Sequence, residues 1–397
     1  MAIVINGSGT VTGLSVGGLP DGTVDEGTLA TDSVTAAKIP DTVEAGFKSG
    51  RKNLIINGAM QVAQRSTSST SSGLQTIDRF TCEFSGTDEA PTQAQVDVAS
   101  GTPAYESGFR KAFKITNGNQ TSGAGAGDYI NFQTKLEAQN IAQSGWNYPS
   151  SSSSITLSFY IKSSVAQNFY GFLRTRDGTE QNYPFETGSL TADTWTKVTK
   201  TIIGNSNLTF NVDNGEGVQI NIAPFWGTNN TGSVNLNAWA NYSGGTRTPD
   251  NTSTWYTTND ATFEITGLQL ELGSTATEFE HRSFGEELAL CQRYYYAMPA
   301  PFGAYYSAYG TRWFTEYSTY PVVMRANPSV SYKSGSVRYS YYQYGWVSDN
   351  LSALATKLGD QRGISLCITA TGSYSPSNHA MYTAESNSYV ANIDAEL

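Results

Sequence analysis

Catalysis needs groups that attack, take up a proton or hold a metal, and this 397-residue sequence offers few of them in usable patterns. Gly13-Leu14-Ser15-Val16-Gly17 matches G-x-S-x-G, the sharp turn that presents a nucleophilic serine. Gly18-Leu19-Pro20 follows where such an elbow requires a helix, so the run reads as a glycine-rich turn. The two histidines, His281 and His379, are far from it and from each other. No H-x-x-x-H or C-x-x-C occurs, so no metal site is expected. Cys82, Cys291 and Cys367 are sparse and odd in number, the pattern of free, buried thiols. Gly123-Ala124-Gly125-Ala126-Gly127 lacks a Walker lysine and a βαβ setting, which leaves a loop.

Glycan hydrolysis asks for only two carboxylates at the right separation. Glu271, Glu278, Glu280, Glu286, Glu287, Asp349 and Asp360 are candidates, but their spacing singles out no pair, and they read as surface carboxylates. No catalytic residue, metal or cofactor is expected, and the chain is not expected to be an enzyme.

Aromatic side chains are the richest source of chemistry. Residues 286–397 hold sixteen of the 24 tyrosines, interleaved with Ser, Thr, Gly and Arg. Tyr and Trp offer large, stiff, amphipathic faces at low entropic cost, on which the C–H face of a sugar can stack. Tyr305, Tyr306, Tyr309, Trp313, Tyr317, Tyr341, Tyr342, Tyr344 and Trp346 are the candidate glycan-binding residues. The competing reading is that tyrosines at strand positions simply pack, since β-structure favours them.

These residues need a scaffold, and the text for one changes character twice. Residues 1–50 have no aromatic before Phe47, and an apolar residue recurs about every five positions, at Val24, Leu29, Val34, Ile39 and then Val43. That period fits neither a helix nor a strand. Alone, such a segment buries too little to offset its ordering entropy; several copies wound together would bury the apolar set at a shared axis. The alternative is a flexible leader.

Residues 51–282 read as antiparallel β. Ile155, Leu157, Phe159 and Ile161 alternate, Asp177-Gly178 signals a hairpin, and the buried parity of Phe263 and Ile265 switches at Gly267 to Leu268, Leu270 and Leu272, as at a β-bulge. Polar stretches at 66–73, 117–127 and 149–154 read as surface loops. Many short strands without a long amphipathic helix make a two-sheet jelly roll. Ser283-Phe284-Gly285-Glu286 has capping-box spacing and opens a short helix over 284–296, with Phe284, Leu288, Cys291 and Tyr295 near one face. A second β domain completes residues 283–397. The expected fold is therefore all-β, in three parts: 1–50, 51–282 and 283–397.

Charge and hydropathy narrow the partners. Lys+Arg number 24 against 34 Asp+Glu, a net −10, and a chain of that sign does not track phosphate backbones, so no nucleic acid is expected. No apolar run approaches the ~18 residues of a membrane span. The opening Met1-Ala2-Ile3-Val4-Ile5 has no basic region of a secretion signal, so folding in a cytoplasm is expected, with the N-x-[ST] triplets at Asn119, Asn207 and Asn241 unmodified.

Several runs occur together in a telling order: Asn6-Gly7-Ser8-Gly9-Thr10 with Gly13 to Val24; Val34-Thr35-Ala36-Ala37-Lys38-Ile39; Lys52-Asn53-Leu54-Ile55-Ile56-Asn57-Gly58-Ala59-Met60 with Gln64-Arg65 and Asp78-Arg79-Phe80. Thr266-Gly267-Leu268-Gln269-Leu270-Glu271-Leu272-Gly273 follows, then Glu286-Glu287-Leu288, Cys291-Gln292-Arg293-Tyr294-Tyr295, and Tyr320-Pro321-Val322-Val323-Met324-Arg325-Ala326-Asn327-Pro328. This order resembles phage tail fibres that carry a carbohydrate-binding-module-like jelly roll. The resemblance covers most of residues 1–296 in patches and thins beyond about 332.

It implies a homotrimer in the virion, assembled in the host cytoplasm, with residues 1–50 as a stalk docked on the tail, baseplate or an adaptor protein. The C-terminal domain would bind a host cell-surface polysaccharide and mediate adsorption. It supplies no catalytic residues, and in such modules the jelly roll binds sugar or acts as a spacer. A tailspike glycan depolymerase is one alternative, disfavoured by the missing coil repeat of a long parallel β-helix. A structural baseplate or adaptor protein is another; a bacterial surface lectin is a third, lacking an export signal.

Overall fold

The computed structural model describes residues 4–5, 11–12, 52–299, 312–314, 317–332, 336–341, 345–370, 380–384 and 389–397, with side chains in 52–298, 317–331, 359–365 and 391–397. The chain divides into two units, Met1–Gly50 and Arg51–Leu397. In the first, β1 (Val4–Ile5) and β2 (Val11–Thr12) pair antiparallel. The stalk positions Val24, Leu29, Val34, Ile39 and Val43 lie outside the described residues, as does the G-x-S-x-G run.

The second unit is all-β and is built on an antiparallel jelly-roll sandwich. Its strands are β3 (Ser68–Ser69), β4 (Phe80–Ser85), β5 (Thr92–Asp97), β6 (Lys111–Thr116), β7 (Tyr129–Glu137) and β8 (Ser154–Ser163). Then come β9 (Asn168–Thr175), β10 (Gln181–Ser189), β11 (Thr196–Ile203), β12 (Glu216–Trp226), β13 (Ala240–Asn241) and β14 (Thr262–Leu272). One sheet runs β13-β10-β9-β12-β7-β4, the other β11-β8-β14-β6-β5-β3. Only single-turn helices interrupt them: α1 (Pro103–Glu106), α2 (Ala138–Ala142) and α3 (Thr254–Thr257).

Period-two patterning explains the layers. Ile155, Leu157, Phe159 and Ile161 of β8 are all buried, facing a core that Phe132 and Ile220 enter from the opposing sheet. The rings of Phe113 and Phe132 meet across it edge-on, 5.2 Å apart. At Gly267 the backbone has φ +66° and the β8–β14 register slips between Thr266 and Gln269, so Phe263, Ile265, Leu268 and Leu270 all stay inside. A side chain at 267 would lie 2.5 Å from the Phe109 ring. The Asp177-Gly178 turn joins β9 to β10 with Gly178 at φ +63°. The 117–127 stretch is less of a surface loop than expected: Asn117 is buried, its Nδ2 donating to the carbonyls of Tyr256 and Thr258.

Helix α4 (Phe284–Gln292) starts as expected, the Ser283 hydroxyl accepting from the Glu286 N–H. It ends four residues early, and of its expected apolar face Cys291 is buried and Leu288 half-buried but Phe284 is not. Phe284 is 56% exposed, whereas Glu287 is buried and accepts from Asn57 N and Arg282 Nη1. Tertiary pairing overrides the helical spacing: β15 (Tyr295–Pro299) joins β23 (Tyr389–Asp394), and the Tyr294 carbonyl accepts from Ala395 N.

β15, β23 and β18 (Ser329–Tyr332) form one sheet. A second contains β16 (Arg312–Phe314), β17 (Ser318–Thr319), β19 (Ser336–Tyr341), β20 (Gly345–Gly359), β21 (Gly363–Ala370) and β22 (Ala380–Ala384). Met298, Tyr320, Met324, Ile364, Ala391 and Ile393 make a small core of their own. The join to the sandwich is polar. The Arg65 and Arg79 guanidiniums lie 3.6 and 3.5 Å over the rings of Tyr295 and Tyr294 and both meet Glu396. Arg325 donates to the carbonyls of Asn214, Ala395 and Glu396.

Candidate functional site

The outer face of the β13-β10-β9-β12-β7-β4 sheet holds a groove. Alternation on β7 turns Ile130, Phe132 and Leu136 into the core and leaves Asn131, Gln133 and Lys135 lining the groove. Register then assembles it: Asn221 of β12 pairs with Gln133 on one side and Phe172 of β9 on the other, while Gln219 pairs with Lys135 and Arg174. A β12 irregularity between Ile222 and Phe225 keeps Phe225 in the core and puts Trp226 in a separate apolar cluster with Phe172, Ala223, Tyr129 and Tyr242. Tyr242 and Arg247, beyond β13, close one end; Glu83 of β4 marks the other. The space enclosed is about 230 Å³.

Three amides form its floor. Asn131 Nδ2 and Gln133 Nε2 both donate to Asn221 Oδ1, at 2.9 and 2.7 Å. Asn221 is 1% exposed, Asn131 2% and Gln133 6%, yet Asn131 Oδ1, Gln133 Oε1 and Asn221 Nδ2 have no hydrogen-bond partner. Leaving a buried polar atom unmet costs about 1–3 kcal/mol unless water or a ligand supplies the partner; single unmet atoms also occur elsewhere, as at Arg79 Nε and Trp146 Nε1, but here three converge. Two open acceptors beside an open donor match the hydroxyls of a polyol. The Trp226 indole N–H, also buried and unpartnered, adds a second donor.

Rings make the wall. Trp226 meets Phe172 and Tyr129 edge-on at 5.3 and 6.3 Å, and Arg247 lies 4.5 Å over it. Trp226 is thereby covered, and half-buried Tyr129 lines the groove beside it. Arg174 packs 3.6 Å over Tyr242 and is neutralised by Glu180; Lys135 pairs with Glu216.

Among the described residues, none of those singled out from the sequence lines this groove. Tyr305, Tyr306, Tyr309, Tyr342 and Tyr344 lie outside the described residues. The backbones of Trp313, Tyr341 and Trp346 sit on β16, β19 and β20, with Trp346 opposite Ser340 and Tyr341 opposite Gly345. Tyr317 is 46% exposed and donates its hydroxyl to Asp360 Oδ1 at 2.6 Å, a bond that raises the tyrosine pKa and lowers the carboxylate's.

Of the junction carboxylates Glu278 and Glu286 are exposed, as expected, but Glu271 and Glu287 are not surface groups. Glu271 is buried, accepting from Gln269 Nε2, Thr277 N and Thr277 Oγ1, and Glu287 is buried against Asn57 and Arg282. Backbone N–H groups and hydroxyls inside the fold take them up, which tethers the 277–287 segment. Cys82 and Cys291 are free and buried, and burial pushes both thiols well above the ordinary range.

No protein-family model and no curated protein matches the chain. Among solved structures it is similar to an enzymatically active domain of a bacteriophage CBA120 tailspike protein, at 12% identity and TM-score 0.29, over 56% of this chain and 21% of that one. It is similar to the N-terminal cellulose-binding domain of Cellulomonas fimi β-1,4-glucanase C, at 10% identity and TM-score 0.26, over 54% of this chain and 99% of that one. A family 11 carbohydrate-binding module of Clostridium thermocellum, solved with a mixed-linked tetrasaccharide, is similar at 10% identity and TM-score 0.23, over 51% and 91%. Likenesses this remote carry no functional argument, which rests on the groove itself.

Sequence reasoning passed over Asn131, Gln133, Gln219 and Asn221. A signal existed: in Ile130-Asn131-Phe132-Gln133 and Val218-Gln219-Ile220-Asn221-Ile222 the outward positions are all amides. Their meeting point depends on a register between strands eighty residues apart.

Proposed function

We propose that this chain is a non-catalytic glycan-binding protein whose groove takes a short stretch of host cell-surface polysaccharide. The observation that carries the reading is the amide floor, three buried residues with two acceptors and one donor left open. Tyr129 adds an aromatic ring to the lining beside it. Among the described lining residues Glu83 is the one carboxylate, whereas hydrolysis by the usual route needs two. Of the C-terminal candidates, the one whose side chain is described, Tyr317, donates its hydroxyl to Asp360.

The ordered motifs support a wider proposal: a homotrimeric phage tail fibre in the virion, docked on the tail or baseplate through residues 1–50, mediating adsorption. Three weak grooves on one shaft would bind by avidity, gaining about a hundredfold or more over a single site.

Glycan-array binding by the full-length protein tests the first part. Asn221→Leu, which removes the hub of the amide cluster, should abolish binding and lower the melting temperature without loss of the fold by circular dichroism; unchanged binding by this variant would overturn the reading. Sedimentation of the intact protein as a 42.8 kDa monomer would sink the fibre proposal.

A further inference from the structure

The chain carries a net charge of −10, yet its groove is lined by three cations, Lys135, Arg174 and Arg247, against one carboxylate, Glu83. Two of the cations are spoken for: Lys135 pairs with Glu216 at 3.3 Å and Arg174 with Glu180 at 2.5 Å. Arg247 is different. Among the described residues no carboxylate lies within ion-pair distance of it. Neutral groups hold it: Nε donates to the Tyr242 hydroxyl at 2.8 Å, Nη1 donates to Asn230 Oδ1, and the guanidinium rests over the Trp226 ring. Nη2 makes no hydrogen bond to a described residue. The Gly244 backbone passes beside it, where a Cβ would stand 3.4 Å from Nη2.

A guanidinium fixed in place by neutral partners keeps its full charge and spends none of its orientation entropy on capture. It lies at the β13 end of the groove, while Glu83, opposite Asn131 in register, lies at the β4 end. That polarity gives the ligand a direction. We propose that the groove selects an acidic glycan, one whose sugar carboxylate meets Arg247 while the hydroxyls of the adjoining neutral unit satisfy the Asn131–Gln133–Asn221 cluster. This inference rests on the groove being the glycan site.

The test uses the full-length protein and matched pairs of glycans on one array: uronate-containing bacterial oligosaccharides and the same oligosaccharides with the carboxyl reduced to the alcohol. The acidic member of a bound pair should bind about tenfold tighter or more, as expected for a charged hydrogen bond in place of a neutral one, and added salt should narrow the gap. Arg247→Gln should bring the acidic sugar down to the level of its reduced partner; Arg247→Lys should keep part of the preference; Asn221→Leu should abolish binding of both. Circular dichroism and melting confirm that each variant is folded. Equal binding of the two members, or a preference that survives Arg247→Gln, overturns the inference and leaves the groove as a neutral-glycan site. Failure of either member of any pair to bind wild type, or binding unaffected by Asn221→Leu, overturns the glycan reading itself, and this inference with it.

Discussion

Two regions of the second unit bury polar side chains, and they treat them in opposite ways. At the join between the sandwich and the C-terminal strands, the carboxylates are met. Glu137 accepts from Arg293, from the Tyr294 hydroxyl and from Gln139; Asp78 accepts from Gln64 N and Nε2. Glu396 is held by Arg79 and Arg65. In the groove, three amides equally buried share two hydrogen bonds and leave three atoms open. The carboxylates at the join are paired and lock one arrangement of the chain, even though Arg79 Nε there has no partner; the groove leaves neutral amide atoms open.

The sharpest way to break this contrast is Arg79→Ala, which leaves Glu396 half-paired and uncovers Tyr294. It should cost about 3–5 kcal/mol in chemical denaturation, as for a buried ion pair deprived of one partner. A loss below about 1 kcal/mol would mean that the join is not the lock described.

Acidity should then show the one strained group within that lock. Burial, opposed by Arg65 and the hydrogen bonds from Gln64, raises the Asp78 pKa from 3.8 to about 6. The folded state therefore holds an extra proton between about pH 4 and 6. From this group, stability is greatest below that window and falls as pH rises through it, by about 3 kcal/mol in all. Glu137 acts in the other direction: burial raises its pKa, but the bonds from Arg293, Tyr294 and Gln139 outweigh that and lower it, so its contribution is present above the ordinary carboxylate pKa and lost on acidification. Comparing the pH dependence of unfolding in wild type and Asp78→Asn isolates the first effect, and parallel curves would refute it.

Gln133→Met probes the other region. It removes an open acceptor and one hydrogen bond, so stability should change by less than about 1 kcal/mol while glycan affinity falls about tenfold. A large loss of stability would show that the groove amides are structural. Smallest of all, Tyr317→Phe deletes an exposed hydroxyl bonded to Asp360 and should leave glycan binding unchanged; a marked drop would return the binding surface to the C-terminal strands.

Reading the sequence for periodicity recovered much of the sandwich. The alternation of β8, the Asp177-Gly178 turn, the bulge at Gly267 and the Ser283 cap are local signals, each spoken by residues within a few positions of one another. The helix end was missed because Tyr294 and Tyr295 are claimed by Arg79, Arg65 and β23, partners hundreds of residues away. Glu287 was misread as a surface group for the same reason, since Asn57 reaches it from far along the chain; Glu271 is received locally, by Gln269 and Thr277.

The groove shows the division most clearly. Alternating amides on two strands declare which face they share, because side chains of a strand alternate whatever it pairs with. Nothing in those strands says that Asn221 will stand beside Gln133, or that Arg247 will be carried over Trp226 by a loop from beyond β13. Sequence alone determined the all-β class, the turns and the bulge, since these follow from backbone preference and hydrophobic period. Tertiary structure alone decided which polar groups are paid off inside the fold and which are left open, since that depends on distances between strands far apart along the chain.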